Sequence, residues 1–289
     1  MGVVDAYLIP TVDGVAYGLL LFTVAAGLTV AFSVGGVLNL AHGSLYALGA
    51  YTAAALGNGT WTGLALAVGV GAIVGAAGGG VLAAAVAPLA RRGHLAQALL
   101  TFGAALVATD LLATLFGPDE LPVTIPSGLG VSVTIDGHRY PAYRLGFITV
   151  AILLAGLGWL IAARTQVGAR VRAAVDDPQM LACLGINPRT VQAGMLAAAG
   201  GLAGLAGVLG APILGPGPGT ANTVLLLSLV VVVLGGLGRI PGALVAALAV
   251  GLIHTLGVTL AANWAPFLLF AAMAAVLVVR PPSPAGSPA

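Results

Sequence analysis

Lysine is absent from this 289-residue chain; its ten basic residues are all arginine. A P-loop ends in Lys-Ser/Thr, whose ammonium reaches the phosphates that the glycine-rich backbone cradles. The chain therefore does not hydrolyse a nucleotide by that route. Cysteine is nearly absent as well: Cys183 stands alone, which excludes an internal disulfide and a thiolate metal cluster. Charge is scarce, at 6% of residues against roughly 25% in soluble domains. That excludes an ordinary soluble domain, and a net charge of +2 gives no sign of nucleic-acid binding. Paired carboxylates, a Ser/His/Asp spacing and a metal-ligand cluster are all missing, so the sequence predicts no catalytic residues, no metal site and no cofactor.

What is present is apolar: 60% of residues are hydrophobic and 44 are glycine. A crossing helix needs about 20 apolar residues, and the runs here are long and continuous rather than the ~10-residue alternating segments of a barrel. The expected fold is an all-α polytopic membrane protein with about eight to nine transmembrane helices. Its apolar runs cover about 14–34, 45–56, 62–89, 95–116, 145–163, 191–209, 224–237, 243–260 and 265–279. The first ten residues carry no basic residue and do not read as a cleaved signal peptide. Residues 1–280 are expected to form one transmembrane domain, followed by a disordered Pro/Ser-rich tail at 281–289.

Polar punctuation organises these runs. The run that includes Gly35, Asn39, His42, Gly43 and Ser44 breaks the helical pattern near the start. Gly215-Pro216-Gly217-Pro218-Gly219 cannot be helical, and Gly235-Gly236 opens a third break that ends in Pro241-Gly242. Gly71, Gly75 and Gly79, four residues apart, predict a close helix crossing. Residues 117–144 read as a surface loop with a strand pair turning at Asp136-Gly137. The first and third breaks echo one another (Gly35-Gly36-Val37-Leu38 and Gly235-Gly236-Leu237-Gly238), as paired interrupted helices in two halves of a transporter do. Asn39, His42, Ser44, Gly235 and Gly236 are thus candidates for a translocation path; the alternative for Asn39 and His42 is that they satisfy backbone groups freed at the break. His254, inside a span, is expected to hydrogen-bond a neighbouring helix. Asp110, late in its span, is expected near the outer surface.

Residues 164–189 form a polar island flanked by apolar runs and hold Arg164, Arg170, Arg172, Asp176, Asp177 and Arg189. Arginines mark the cytoplasmic side, which places this island inside and the 117–144 loop outside. Eight or nine crossings decide which side holds the N-terminus. Within the island, Asp176-Asp177-Pro178 is a helix start: Asp caps free N–H groups, and Pro suits the first helical position. Gly185 suits the left-handed position that ends a helix, and Pro188 stops its continuation. The result is a two-turn helix with Met180, Leu181, Leu184 and Ile186 as its expected exposed apolar residues. Such a helix either rests on the bilayer or docks in a cleft of a cytoplasmic partner.

Three stretches resemble one family. Gly36-Val37-Leu38-Asn39-Leu40-Ala41-His42-Gly43-Ser44-Leu45-Tyr46 with Leu48-Gly49-Ala50-Tyr51 is similar to the signature of high-affinity branched-chain amino-acid ABC transporter permeases. Arg172-Ala173, Asp177, Ala182 and Leu184-Gly185-Ile186 resemble that family's cytoplasmic loop, and Val232-Val233-Leu234-Gly235-Gly236-Leu237-Gly238 with Ile240-Pro241-Gly242-Ala243 follows in order. Arg239 departs from the pattern, where a small residue is usual. The resemblance implies an importer-type helical bundle in the bacterial inner membrane, corresponding to the smaller permease of the pair. It implies four partners: a second permease, two cytoplasmic ATPases and an external substrate-binding protein. Asp176, Asp177, Pro178, Met180, Leu181, Leu184, Gly185 and Ile186 would form the ATPase-coupling segment. The cargo implied is branched-chain or related apolar amino acids. Urea or short amides are the alternative within the family, and a stand-alone secondary transporter or channel is the alternative outside it.

Overall fold

A computed structural model describes residues 3–35, 39–135, 138–236 and 238–279. The echoed positions Gly36, Val37, Leu38 and Leu237, the Asp136-Gly137 turn and the 281–289 tail lie outside them. The helices in chain order are α1 (Val3–Gly35), α2 (His42–Leu56), α3 (Trp61–Val86), α4 (His94–Phe116), α5 (Ala142–Arg164), α6 (Gln166–Asp176), α7 (Pro178–Cys183), α8 (Pro188–Gly210), α9 (Thr220–Gly235), α10 (Ile240–Ala261) and α11 (Ala265–Val279). Two antiparallel strands, β1 (Ser132–Ile135) and β2 (His138–Pro141), form the expected hairpin, with Val133 opposite Tyr140.

Among the described residues, six helices are long and apolar enough to cross a bilayer: α1, α3, α4, α5, α8 and α10. The eight or nine spans expected are not reached by length, because α2, α9 and α11 have only 15, 16 and 15 residues. At 1.5 Å per residue these short helices extend about 22–24 Å, less than a bilayer core of about 30 Å. Conversely α1 begins at Val3, well before its apolar run, and has 33 residues. It is also the centre of the bundle: 72% of its apolar window is buried, against 11% for α5 at the periphery.

Glycine permits the closest crossings. A Cβ on Gly75 would run into the Gly200 carbonyl and one on Gly200 into the Gly75 carbonyl, while Gly71 and Gly204 face each other one turn along. The predicted Gly71, Gly75 and Gly79 face thus packs α3 on α8, backbone against backbone, and such contact is what small residues provide in lipid. Gly18 and Gly251 bring α1 and α10 together in the same way. Polar side chains inside α1 return their protons to the helix: Thr23 to Leu19 O (2.9 Å), Thr29 to Ala25 O (2.7 Å) and Ser33 to Thr29 O (2.7 Å).

The packing has an internal symmetry. Exchanging α1, α2 and α3 for α8, α9 and α10 preserves the pattern: α1 packs on α10 as α8 packs on α3, α2 on α8 as α9 on α1, and α2 on α3 as α9 on α10. The halves run in opposite directions. α1 starts where α8 ends, since Asp13 of α1 and the Leu209 carbonyl of α8 both meet the first turn of α5. This is an inverted repeat. It corrects the register of the sequence echo: the counterpart of the break after α1 is the 211–219 segment after α8, not the Gly235–Arg239 turn.

Candidate functional site

Three places carry polar chemistry. The first is the island, which lies at one end of the bundle. Thr165 caps α6, accepting from the Gly168 N–H at 3.3 Å, and Arg172 donates to the Ala162 carbonyl of α5, tying α6 back to that helix. Asp177 then caps α7: its Oδ1 accepts from the N–H groups of Gln179 and Met180, both at 2.9 Å. The other end closes with Gly185 at φ +80°. Its N–H donates to Ala182 O (3.0 Å) and the Ile186 N–H to Leu181 O (3.2 Å), the paired bonds of a Schellman stop. Asn187 caps α8 at once, accepting from the Arg189 N–H at 3.0 Å, and Pro188 takes the first helical position of α8. The start and stop signals thus act as the sequence predicts, and Pro188 additionally begins the next helix.

One expectation about α7 is corrected. Leu181 is 2% exposed and packs inward, whereas Met180 and Leu184 are 58% and 68% exposed. Residue 181 lies one residue beyond 180, about 100° further round the helix, so the two cannot share a face. Leu181 anchors α7 to the bundle, and Ile186 is only half-buried. The outward apolar surface is Met180 and Leu184, with the free thiol of Cys183 beside them. Asp176 is the exposed last residue of α6 and takes no part in the cap.

The second place is the start of α2, inside the bundle. Asn39, His42 and Ser44 are all buried. Asn39 Oδ1 accepts from the Ala41 N–H (3.1 Å), His42 Nε2 donates to the Val24 carbonyl of α1 (2.9 Å), and Ser44 lies 3.5 Å from the Ala105 carbonyl of α4. Thr101 of α4 accepts from the Leu40 N–H at 3.2 Å. These bonds satisfy the broken backbone, yet Asn39 Nδ2 and His42 Nδ1 keep no partner among the described residues. Gly43 is required here, since a Cβ would strike the Ala221 carbonyl of α9. Gly235 and Gly236 are elsewhere, in the tight α9–α10 turn. Gly235 packs on Gly242 and Ala243, and Gly236 adopts φ +87°.

The third place is a cavity of about 650 Å³ at the end of the bundle opposite α7, between α1, α9 and α10. None of the path candidates lines it. Its polar wall residues are Asp13, Tyr17, Arg144, His254 and the threonines Thr223, Thr255 and Thr259; Leu226 and Leu227 are among its apolar wall residues. Arg144 pairs with Asp13 through Nη1, and Tyr140 of the hairpin donates to the same Asp13 Oδ1 at 2.7 Å. Burial, then the bond to Asp13, holds the Tyr140 phenol well above the usual tyrosine range. His254 stacks on Tyr17 with ring centroids 4.8 Å apart. Among the described residues it makes this stack and not the hydrogen bond expected of it. Asp110 is exposed on α4 and lines no part of the cavity. Sequence reading missed the cavity because its walls are far apart in the chain. The only local hint is Asp13 and Tyr17, one turn apart on the first span.

Among the described residues no cluster of metal-ligating side chains is present. The family model described as branched-chain amino acid transport system / permease component matches residues 11–277. The chain is 29% identical to the high-affinity branched-chain amino acid transport system permease protein LivH of Escherichia coli K12, over 96% of this chain and 94% of that protein. It is 26% identical to the permease protein BraD of Pseudomonas aeruginosa, over 98% and 96% of the two chains. It is 31% identical to LivM of Escherichia coli K12, over 79% of this chain and 59% of the longer protein. No solved structure matches. With the family match running through almost the whole helical bundle, this multi-pass inner-membrane protein belongs to the family of branched-chain amino acid transport permease components.

Proposed function

We propose that the chain is the membrane-spanning half of an ATP-driven importer for branched-chain or related apolar amino acids. It would work beside a second permease, with two ATPases at its α7 end and a substrate-binding protein at its hairpin end. The observation that carries this reading is α7: a two-turn helix locked at both ends, lying between two spans, with Met180 and Leu184 turned outward. A helix of 6 residues has no stability of its own. Its two caps and the Leu181 anchor make it a rigid lever. Arginines gather at this end, among them Arg164, Arg170, Arg172, Arg189 and Arg239, which supports a cytoplasmic side. A chain without lysine has no P-loop to power itself.

The connections suit force transmission. α7 is joined to α8 by one cap, and α8 packs on α1, α2 and α3 together. A push on α7 therefore reaches the pseudo-symmetric core within one rigid element. The inverted halves then exchange access between the two membrane faces. Asn39, His42 and Ser44, with two unpartnered nitrogens at the α2 break, are the groups we assign to the inner wall that opens in that exchange. The packed Gly235-Gly236 turn would flex beside it.

The test is to co-express the chain with its partner subunits, reconstitute the complex and measure uptake of labelled leucine. The expected result is uptake that needs ATP and the binding protein, lost in Met180→Asp with the membrane fold intact. Uptake by the chain alone, driven by an ion gradient, would replace this reading with a secondary transporter.

A further inference from the structure

The cavity opposite α7 has a composition that points to its ligand. Its lining is mostly apolar, and its two charged groups are one acid and one base in contact, Asp13 and Arg144. A site that is neutral overall but holds both signs side by side suits a ligand of the same kind: a zwitterion with an apolar body. Neither charge is exhausted by the pair. Both bonds to Asp13 end on Oδ1, and Oδ2 accepts none from a described residue. Arg144 reaches Asp13 through one of its two terminal nitrogens. The side chains remain 33% and 24% exposed for Arg144 and Asp13, open towards the cavity rather than sealed. The carboxylate is also positioned: Tyr140, itself 2% exposed, fixes Oδ1 from behind. The volume of about 650 Å³ lies within the roughly 300–1,000 Å³ of small-molecule sites.

We infer that this cavity is a recognition site in the permease itself for a free α-amino acid with a branched aliphatic side chain. The substrate ammonium binds Asp13 Oδ2, its carboxylate binds the open edge of the Arg144 guanidinium, and its side chain lies against Leu226 and Leu227. The charged groups of the ligand insert beside the existing pair, turning two charges into a ring of four with alternating sign, so no group is left unpaired. Tyr17 and His254 form the floor. The site rests on the importer reading above, and it deepens it by giving the permease a selectivity of its own in addition to that of an external binding protein.

The test separates the two. Equilibrium binding of tritiated leucine is measured on the complex of the full chain with its partner subunits, the binding protein omitted. Expected is saturable binding displaced by isoleucine. Isoamylamine and 4-methylpentanoate, which each keep one charge, should compete at least about tenfold less well, because a charged hydrogen-bonding partner is lost. Leu226→Trp fills the cavity and leaves the ion pair untouched; it should abolish binding while the ATPases still co-purify. Asp13→Asn should weaken binding by about tenfold or more. The inference is overturned if no saturable binding is found below about 10 mM, if a one-charge analogue competes as well as isoleucine, or if Leu226→Trp binds normally. ATP-driven uptake in the complete system is scored independently: uptake without this binding keeps the importer and removes the site.

Discussion

Removing both locks from α7 should uncouple transport without unfolding the protein. The perturbation is Asp177→Ala with Gly185→Ala. Asp177 accepts two backbone bonds, and losing such a cap costs about 0.5–2 kcal/mol. At Gly185 a Cβ meets nothing within 4 Å, so the cost is not steric crowding. It is the left-handed backbone at φ +80°, which disfavours alanine by roughly 1–2 kcal/mol. The two sites lie at opposite ends of the helix and share no hydrogen bond, so about 2–3 kcal/mol together is expected. That corresponds to about thirty- to a hundred-and-fiftyfold more frequent opening of α7. Hydrogen exchange followed by mass spectrometry on the 178–187 peptide reads this directly, with peptides from α1 and α8 as internal controls. ATP-driven leucine uptake should fall in parallel while binding-protein docking persists. Unchanged exchange would refute the capping arithmetic. Faster exchange with full transport would refute the need for a rigid lever.

Three further outcomes follow from the geometry. Gly75→Ala places a methyl against the Gly200 carbonyl with no flexible neighbour to yield, so it should destabilise the bundle by about 1–3 kcal/mol, read as a lowered thermal midpoint in detergent; Gly80→Ala, which meets nothing, should be silent. The raised Tyr140 phenol contributes stability that is fully present below the ordinary tyrosine pKa of about 10 and lost as pH rises through its own higher value. The ultraviolet titration difference between the protein and Tyr140→Phe should therefore show no phenolate near pH 10, and a transition there would contradict the burial of Tyr140 against Asp13. Leu181→Asp should release α7 altogether, because a charge would be buried without a partner, whereas Leu184→Asp should leave α7 folded and block only partner docking; circular dichroism with co-purification separates the two.

Local signals were legible in the sequence where they are complete within a few residues. Asp177, Pro178 and Gly185 each act through bonds to neighbours at most five residues away, so α7 could be read almost to its ends. The same holds for the hairpin and for the 215–219 break, whose Thr220 hydroxyl bonds the Gly215 carbonyl at 2.7 Å and the Gly217 N–H at 3.0 Å. The Gly71, Gly75 and Gly79 face was visible as a spacing, but its partner, Gly200 and Gly204, carries no mark that ties it to α3. The side on which Leu181 falls depends on where α6 and α8 sit, and that is a tertiary fact. Counting spans by length alone stops at six among the described residues, because the polar breaks near His42 and Thr220 leave α2 and α9 as helices of 15 and 16 residues. The cavity left only one local mark, Asp13 and Tyr17 one turn apart on α1. Asp13, Arg144 and His254 come from α1, α5 and α10, and only the tertiary packing brings them to one place.

Entry of force into this chain through α7 can be measured directly. Cys183 is the only cysteine and is exposed on α7 beside Leu184, so the unmodified protein already carries the probe. A short thiol-specific cross-linker applied to membranes holding the complete complex should join Cys183 to the nucleotide-hydrolysing subunit, with a yield that changes when ATP is trapped. A Cys183 that stays open to maleimide in the assembled complex, or that cross-links to no ATPase in any nucleotide state, would contradict it.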